Sequence, residues 1–122
     1  GVGSQRASLE ENNSQKYLRK VAKNIPLIGN IGGVQLTSPS GMDLIKRAID
    51  DIEADAIAIH LNPLQEIVQP EGDQDWRGVL NGISEAVKTL PCPIIVKEVG
   101  RGLSKEVIKN LFDVYRSWHY FH

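Results

Sequence analysis

Parallel strands alternating with helices, amounting to about half of an eight-stranded β/α barrel of the TIM type, are what this α/β sequence predicts, on three observations. Short apolar runs at Pro26-Leu27-Ile28, Ala56-Ile57-Ala58-Ile59 and Pro93-Ile94-Ile95-Val96 are separated by stretches of helical periodicity, the order of a parallel sheet with crossovers. Each run leads into polar side chains: Asn30, then His60, then Lys97. Such strand ends favour a barrel, whose site is built from all the loops at one rim, over a doubly wound sheet. A whole barrel takes ~250 residues. The chain has 122, so it supplies about half of one.

Taken in order, Gly1 to Arg6 reads as a strand end turning out into a loop, its two glycines flanking Val2. Ser14 is placed to cap a helix running to Lys23, with Tyr17, Leu18, Val21 and Ala22 on one face. The strand 26–28 follows, and the Ile31-Gly32-Gly33 stretch beyond Asn30 allows close backbone approach, although no dinucleotide or phosphate-loop spacing is present. Ser40 and Asp43 fit a capping box for a helix ending near Ala54, striped by Leu44, Ile45, Ala48, Ile49 and Ile52. Beyond the strand 56–60 comes a polar loop, then a helix from Asp75 to Leu90 that Pro91 and Pro93 stop. After the third strand, Ser104 is placed to cap a last helix through Val107, Ile108 and Leu111.

Composition excludes several classes. Fourteen Lys and Arg are interspersed among fifteen Asp and Glu, so no basic stripe exists for a phosphate backbone and no nucleic-acid partner is expected. No run of ~18 apolar residues spans a bilayer, and no leader is visible, which predicts a soluble, cytoplasmic protein without a membrane partner. The single Cys92 permits no internal disulfide and reads as a small residue at a strand entrance. The start at Gly1 inside a turn-like stretch reads as a piece of something longer.

Chemistry concentrates in His60 to Asp73, HLNPLQEIVQPEGD. A period of two puts Ala58, His60 and Asn62 on one face of the strand and Ile57, Ile59 and Leu61 on the other, which suits a layer of helices. Glu66 and Glu71, with the amides of Asn62 and Gln65, are hard oxygen ligands of the kind that hold Mg²⁺ beside a diphosphate. Lys97 at an interior strand end calls for an anion, such as a phosphate, a carboxylate or an electron-rich ring. Each has a plainer reading: His60 as a hydrogen-bonded core histidine, Glu71 and Asp73 as a solvated loop, Lys97 reaching water or pairing with Glu66 or Glu98.

HLNPLQEIVQPEGD, together with GVGSQR, GNIGG, and PIIVKEVG with the following GLS, resembles the type II, flavin-dependent isopentenyl diphosphate isomerases over residues 1–112. The resemblance implies an FMN-binding barrel that interconverts isopentenyl and dimethylallyl diphosphate by an allylic proton shift in isoprenoid biosynthesis. FMN would act reduced, with Mg²⁺ and with NADPH as the flavin reductant, in a protein that is a homo-oligomer at full length. It further implies that Ser4, Gln5 and Arg6 touch substrate, with Ser4 also near the flavin, and that Asn30 and Lys97 bind FMN. Gln65 would bind substrate near the reacting carbons, Glu66 would hold Mg²⁺, and His60 and Asn62 would line the pocket, His60 with Gln65 as the catalytic pair.

The sequence also departs from the family. An N-terminal substrate-binding Arg-Lys segment and the later Gly-rich loops for the flavin phosphate are not in it, and residues 113–122 diverge. The whole is therefore read as one incomplete FMN-binding barrel domain, inactive alone. Two other readings stand beside this one, a non-enzymatic remnant and a piece of another FMN-dependent barrel oxidoreductase, although the latter leaves QPEGD unexplained.

Overall fold

The computed structural model describes Gln5, Leu9 and residues 15–61, 73–98 and 105–121. Three strands, β1 (Ile28–Gly32), β2 (Ala56–His60) and β3 (Ile94–Lys97), form one parallel sheet in the order β1-β2-β3. A short helix α1 (Tyr17–Val21) precedes β1, and a 3-10 turn (Gly33–Thr37) leads from it into α2 (Gly41–Ile52). Helix α3 (Asp73–Thr89) joins β2 to β3, and α4 (Lys105–Phe121) follows β3.

The alternation is as expected, but the barrel is not. The described residues form an open three-stranded sheet with four helices, a small α/β layer, and the expectation of a partial barrel is corrected to that. Polar strand ends misled the sequence reading, because they accompany the carboxyl edge of any parallel sheet, open or closed. Closure itself depends on strand number, tilt and stagger. No local pattern in three strands encodes those.

The branched side chains of the sheet gather in one core with the helices. Ile31 of β1, Ile57 and Ile59 of β2, and Leu61 lie in one core with Ile45, Ala48 and Ile49 of α2, Val79 and Ile83 of α3, and Val107 of α4, with Ile94 and Val96 packed against it. Right-handed crossovers between adjacent parallel strands bring successive helices to the same face, so the branched side chains of that face are the ones covered. The opposite face holds Ile28, Asn30, Ala58, His60, Ile95 and Lys97, and there Ile95 is 41% exposed.

Where elements differ from the sequence reading, the causes are local. β1 runs beyond 26–28 to Gly32, so Asn30 is its third residue and not its end, because pairing with β2 carries the glycines into the ladder. Ser40 makes no side-chain cap on α2; Ser38 Oγ instead accepts from the Ser40 amide at 3.3 Å. The Ser14 cap and the Ser104 cap lie outside the described residues. Helix α4 passes through the divergent tail as far as Phe121, longer than the sequence suggested.

Two contacts fix the helices. A side chain at Gly82 of α3 would meet Leu36 Cβ at 2.6 Å and Leu36 O at 3.2 Å, so α3 lies against the 3-10 turn at a distance only glycine permits. At the amino end of the sheet, Asp55 Oδ2 accepts from the Leu27 amide at 2.8 Å and from Arg19 at 2.8 Å. Arg19 also donates to the carbonyls of Ala22, Ile25 and Glu53. Glu53 ends α2 in the left-handed region at φ 49°, which costs a non-glycine residue roughly 1–2 kcal/mol. The Arg19 bond to its carbonyl helps hold it there.

Replacing Gly82 by Ala sets about 1 kcal/mol of helix propensity against roughly 1–3 kcal/mol of overpacking. Leu36 Cβ is fixed to backbone and cannot swing aside. The Gly82→Ala protein should therefore lose stability in urea, and a gain would show that α3 does not rest on the turn.

Arg19 and the Leu27 amide hold the Asp55 carboxyl below its ordinary pKa. A depressed carboxylate stabilises the fold fully above its unfolded pKa, and that contribution is lost as pH falls through the folded value. Melting temperature measured from pH 5 down through and below pH 3.8 should therefore fall less steeply for Asp55→Asn than for the parent chain. Superimposable acid slopes would exclude the clamp as a source of acid lability.

Candidate functional site

Register across the sheet assembles the site. Gly32 is level with His60, and His60 with Lys97, so these three form one row at the carboxyl ends of the strands. One row further in, Asn30 is level with Ala58, and Ala58 with Ile95. Neighbouring strands are about 4.8 Å apart, so the outer row spans roughly 10 Å. Gly32 and Ala58 are buried, Ala58 at 5% exposure, whereas Lys97 at the rim is exposed.

The two rim groups are electrostatically distinct. Burial pushes the His60 imidazole below its ordinary pKa, and the Lys97 charge beside it pushes in the same direction. At neutral pH the pair is thus an uncharged imidazole next to an exposed ammonium. One member can accept a proton or a hydrogen bond, and the other supplies fixed positive charge. Leu61, just past the rim, donates its amide to the Lys97 carbonyl at 2.8 Å, extending the β2–β3 ladder.

Gln5 is placed elsewhere. It is 1% exposed, on the helix side of the sheet, where its Oε1 lies 2.7 Å from the position of an added Cβ on Gly29. Its amide is spent on backbone: Nε2 donates to the Ala48 carbonyl at 2.9 Å, and Oε1 accepts from the Asn30 amide at 2.9 Å. The Gln5 amide in turn donates to the Asn30 carbonyl at 3.0 Å. Sequence reasoning missed this role, since nothing local relates positions 25 and 43 residues apart.

Of the expected site residues, then, His60 and Lys97 share a row, Asn30 lies one row behind, and Gln5 reaches the site only through Asn30 backbone. Ser4, Arg6, Asn62, Gln65, Glu66 and Glu71 lie outside the described residues. Among the described residues no cluster of three His, Cys, Asp or Glu side chains could hold a metal, and no helix is long and apolar enough to cross a membrane. Cys92 is half-buried, its thiol pushed up by burial and by the nearby Asp55 charge, as suits the plain reading of a structural residue.

A depressed histidine pKa has a testable sign. The folded imidazole takes its proton later than the unfolded one, so this contribution to stability is complete above pH 6.5 and declines as pH falls toward the folded value. In a proton NMR titration His60 should titrate below 6.5. Lys97→Gln should move it up without restoring the ordinary value, because burial is the larger cause. No movement on that substitution would mean that the ammonium does not act on the ring.

No protein-family model matches the chain. Against curated proteins it is 50% identical over 116 residues to the isopentenyl-diphosphate delta-isomerase of Pseudescherichia vulneris, covering 93% of this chain and 33% of that protein. It is 51% identical over 117 residues to the protein of that name from Ignicoccus hospitalis, and 48% over 113 residues to that from Synechocystis. The chain spans about a third of the length of the curated relatives it matches. Their shared name specifies no flavin and no class. With a third of their length covered and an open sheet in place of a barrel, the type II, flavin-dependent assignment is corrected to similarity with isopentenyl-diphosphate delta-isomerases as such.

Proposed function

We propose that this segment serves, within a polypeptide of its relatives' length, in the interconversion of isopentenyl and dimethylallyl diphosphate. The observation that carries the reading is half-identity, over 93% of the chain, to proteins named for that reaction. The geometry supports it in kind. Isomerisation between these two substrates adds a proton at a carbon of the double bond and removes one from the allylic carbon next to its other end, so atoms balance with no net oxidation or reduction. Such a reaction needs a group that can take up or release a proton in a sheltered place, and a counter-charge for the diphosphate. His60 is uncharged and half-buried, and Lys97 supplies positive charge one strand away.

The proposal extends to residues and cofactors. Gln65 acts beside His60 near the reacting carbons; Ser4, Arg6 and Asn62 hold substrate, and Glu66 holds Mg²⁺ at the diphosphate. Asn30, one row behind His60, and Lys97, at the carboxyl edge of the sheet, are the residues that would hold FMN. Bound and reduced with NADPH as donor, FMN would supply an electron-rich ring there, and a lysine beside it favours the anionic state.

The test is an exchange of segments. In the Pseudescherichia vulneris protein the 116 matched residues are replaced by those of this chain, and conversion of isopentenyl diphosphate is followed with FMN, NADPH and Mg²⁺ present. Turnover within about tenfold of the parent is expected, with Glu66→Gln losing at least about a hundredfold, since one charge at a hard-cation site is removed while shape is kept. A folded chimera without turnover would overturn the reading, and undiminished activity of the Glu66→Gln form at low Mg²⁺ would remove its metal role.

A further inference from the structure

Asn30 lies on the ligand side of the sheet, in a strand whose outer edge faces no other described strand. Edge strands are where register and side-chain placement are least constrained, because one row of backbone groups lacks a ladder partner. Here the outward N–H and C=O of Asn30 are both taken by one residue: Gln5 Oε1 accepts the first at 2.9 Å, and the Gln5 amide donates to the second at 3.0 Å. The same side chain is tied to α2 through Ala48 O at 2.9 Å, and Leu9 donates to the Gln5 carbonyl at 3.0 Å. The packing leaves no slack, since Gly29 is held between Gln5 Oε1 and Ile57 Cδ1, each 2.7 Å from where a Cβ would be.

We propose that Gln5 is a positioning residue, which fixes Asn30 in the site by completing the edge of β1 from the helix side, and does not itself touch substrate. Among the described residues it is Gln5 that meets the outer edge of β1 at Asn30, and its side chain couples the place of Asn30 to helix α2. The functional part of this inference rests on the reading of Asn30 as a ligand contact, whereas the structural part does not.

The experiment has one readout for each part. Backbone amide exchange is measured on the chain and on its Gln5→Met form, which keeps length and apolar bulk but loses both amide bonds. The reference amides are Leu90, bonded to Ala86 O at 2.9 Å, and Leu61, bonded to Lys97 O at 2.8 Å, neither of which bonds to Gln5. Asn30 should exchange about 10- to 100-fold faster in the variant while the references change by less than about threefold. In the segment-exchanged protein the same substitution should weaken FMN binding about tenfold, and Gln5→Glu, which keeps an acceptor for the Asn30 amide, should weaken it less than Gln5→Met. Equal loss of protection at all three amides, no selective change at Asn30, or failure of the variant to fold would make Gln5 a general structural residue and overturn the proposal. Selective loss at Asn30 with unchanged FMN affinity would instead overturn the ligand role of Asn30, and the functional part with it.

Discussion

Helices packed on a single face of a parallel sheet constrain everything else in this molecule. Because β1, β2 and β3 follow one another in order, α2 and α3 reach the same side, and their apolar stripes meet Ile31, Ile57 and Ile59 there. Hydrophobic burial is thereby collected on one face, where each fully buried branched side chain contributes about 1.5–3 kcal/mol. The other face carries Asn30, His60 and Lys97 beside the buried Ala58. Only on such a face can an uncharged His60 and a charged Lys97 stand side by side without unravelling the core.

Polar groups at the margins of the sheet are satisfied by long-range partners. At the amino end the Asp55 carboxylate ties the entry of β1 to that of β2, and Arg19 gathers the carbonyls of the surrounding turns. At the outer edge of β1 the buried Gln5 amide meets backbone on both sides. A buried polar group left without a partner costs about 1–3 kcal/mol, so these arrangements are needed for the core to keep its value. They also transmit position. A substitution at Gln5, on the helix side, bears on Asn30, on the other.

The apolar periodicities of β2, α2 and α3 were legible in the chain because each is a local pattern read against a fixed geometry, 2.0 residues per repeat in a strand and 3.6 in a helix. The inward and outward faces of β2 followed from the same rule, with Ile57, Ile59 and Leu61 toward the helices. That His60 and Lys97 stand level with one another came only from the register of β2 with β3. β1 was read too short, since Gly29, Asn30 and Gly32 have little strand preference of their own and are extended only because β2 pairs with them.

What the sequence by itself determined, then, is the order of the elements and which face of each is apolar, since both depend on neighbours a few positions apart. Only the tertiary structure decided that the described strands form an open sheet, that Gln5 meets the edge of β1, and that Gly82 seats α3 on Leu36. The reason is common to all three. Sheet closure, edge completion and helix approach are set by contacts between residues tens of positions apart, and neither hydrophobic period nor residue type carries that distance.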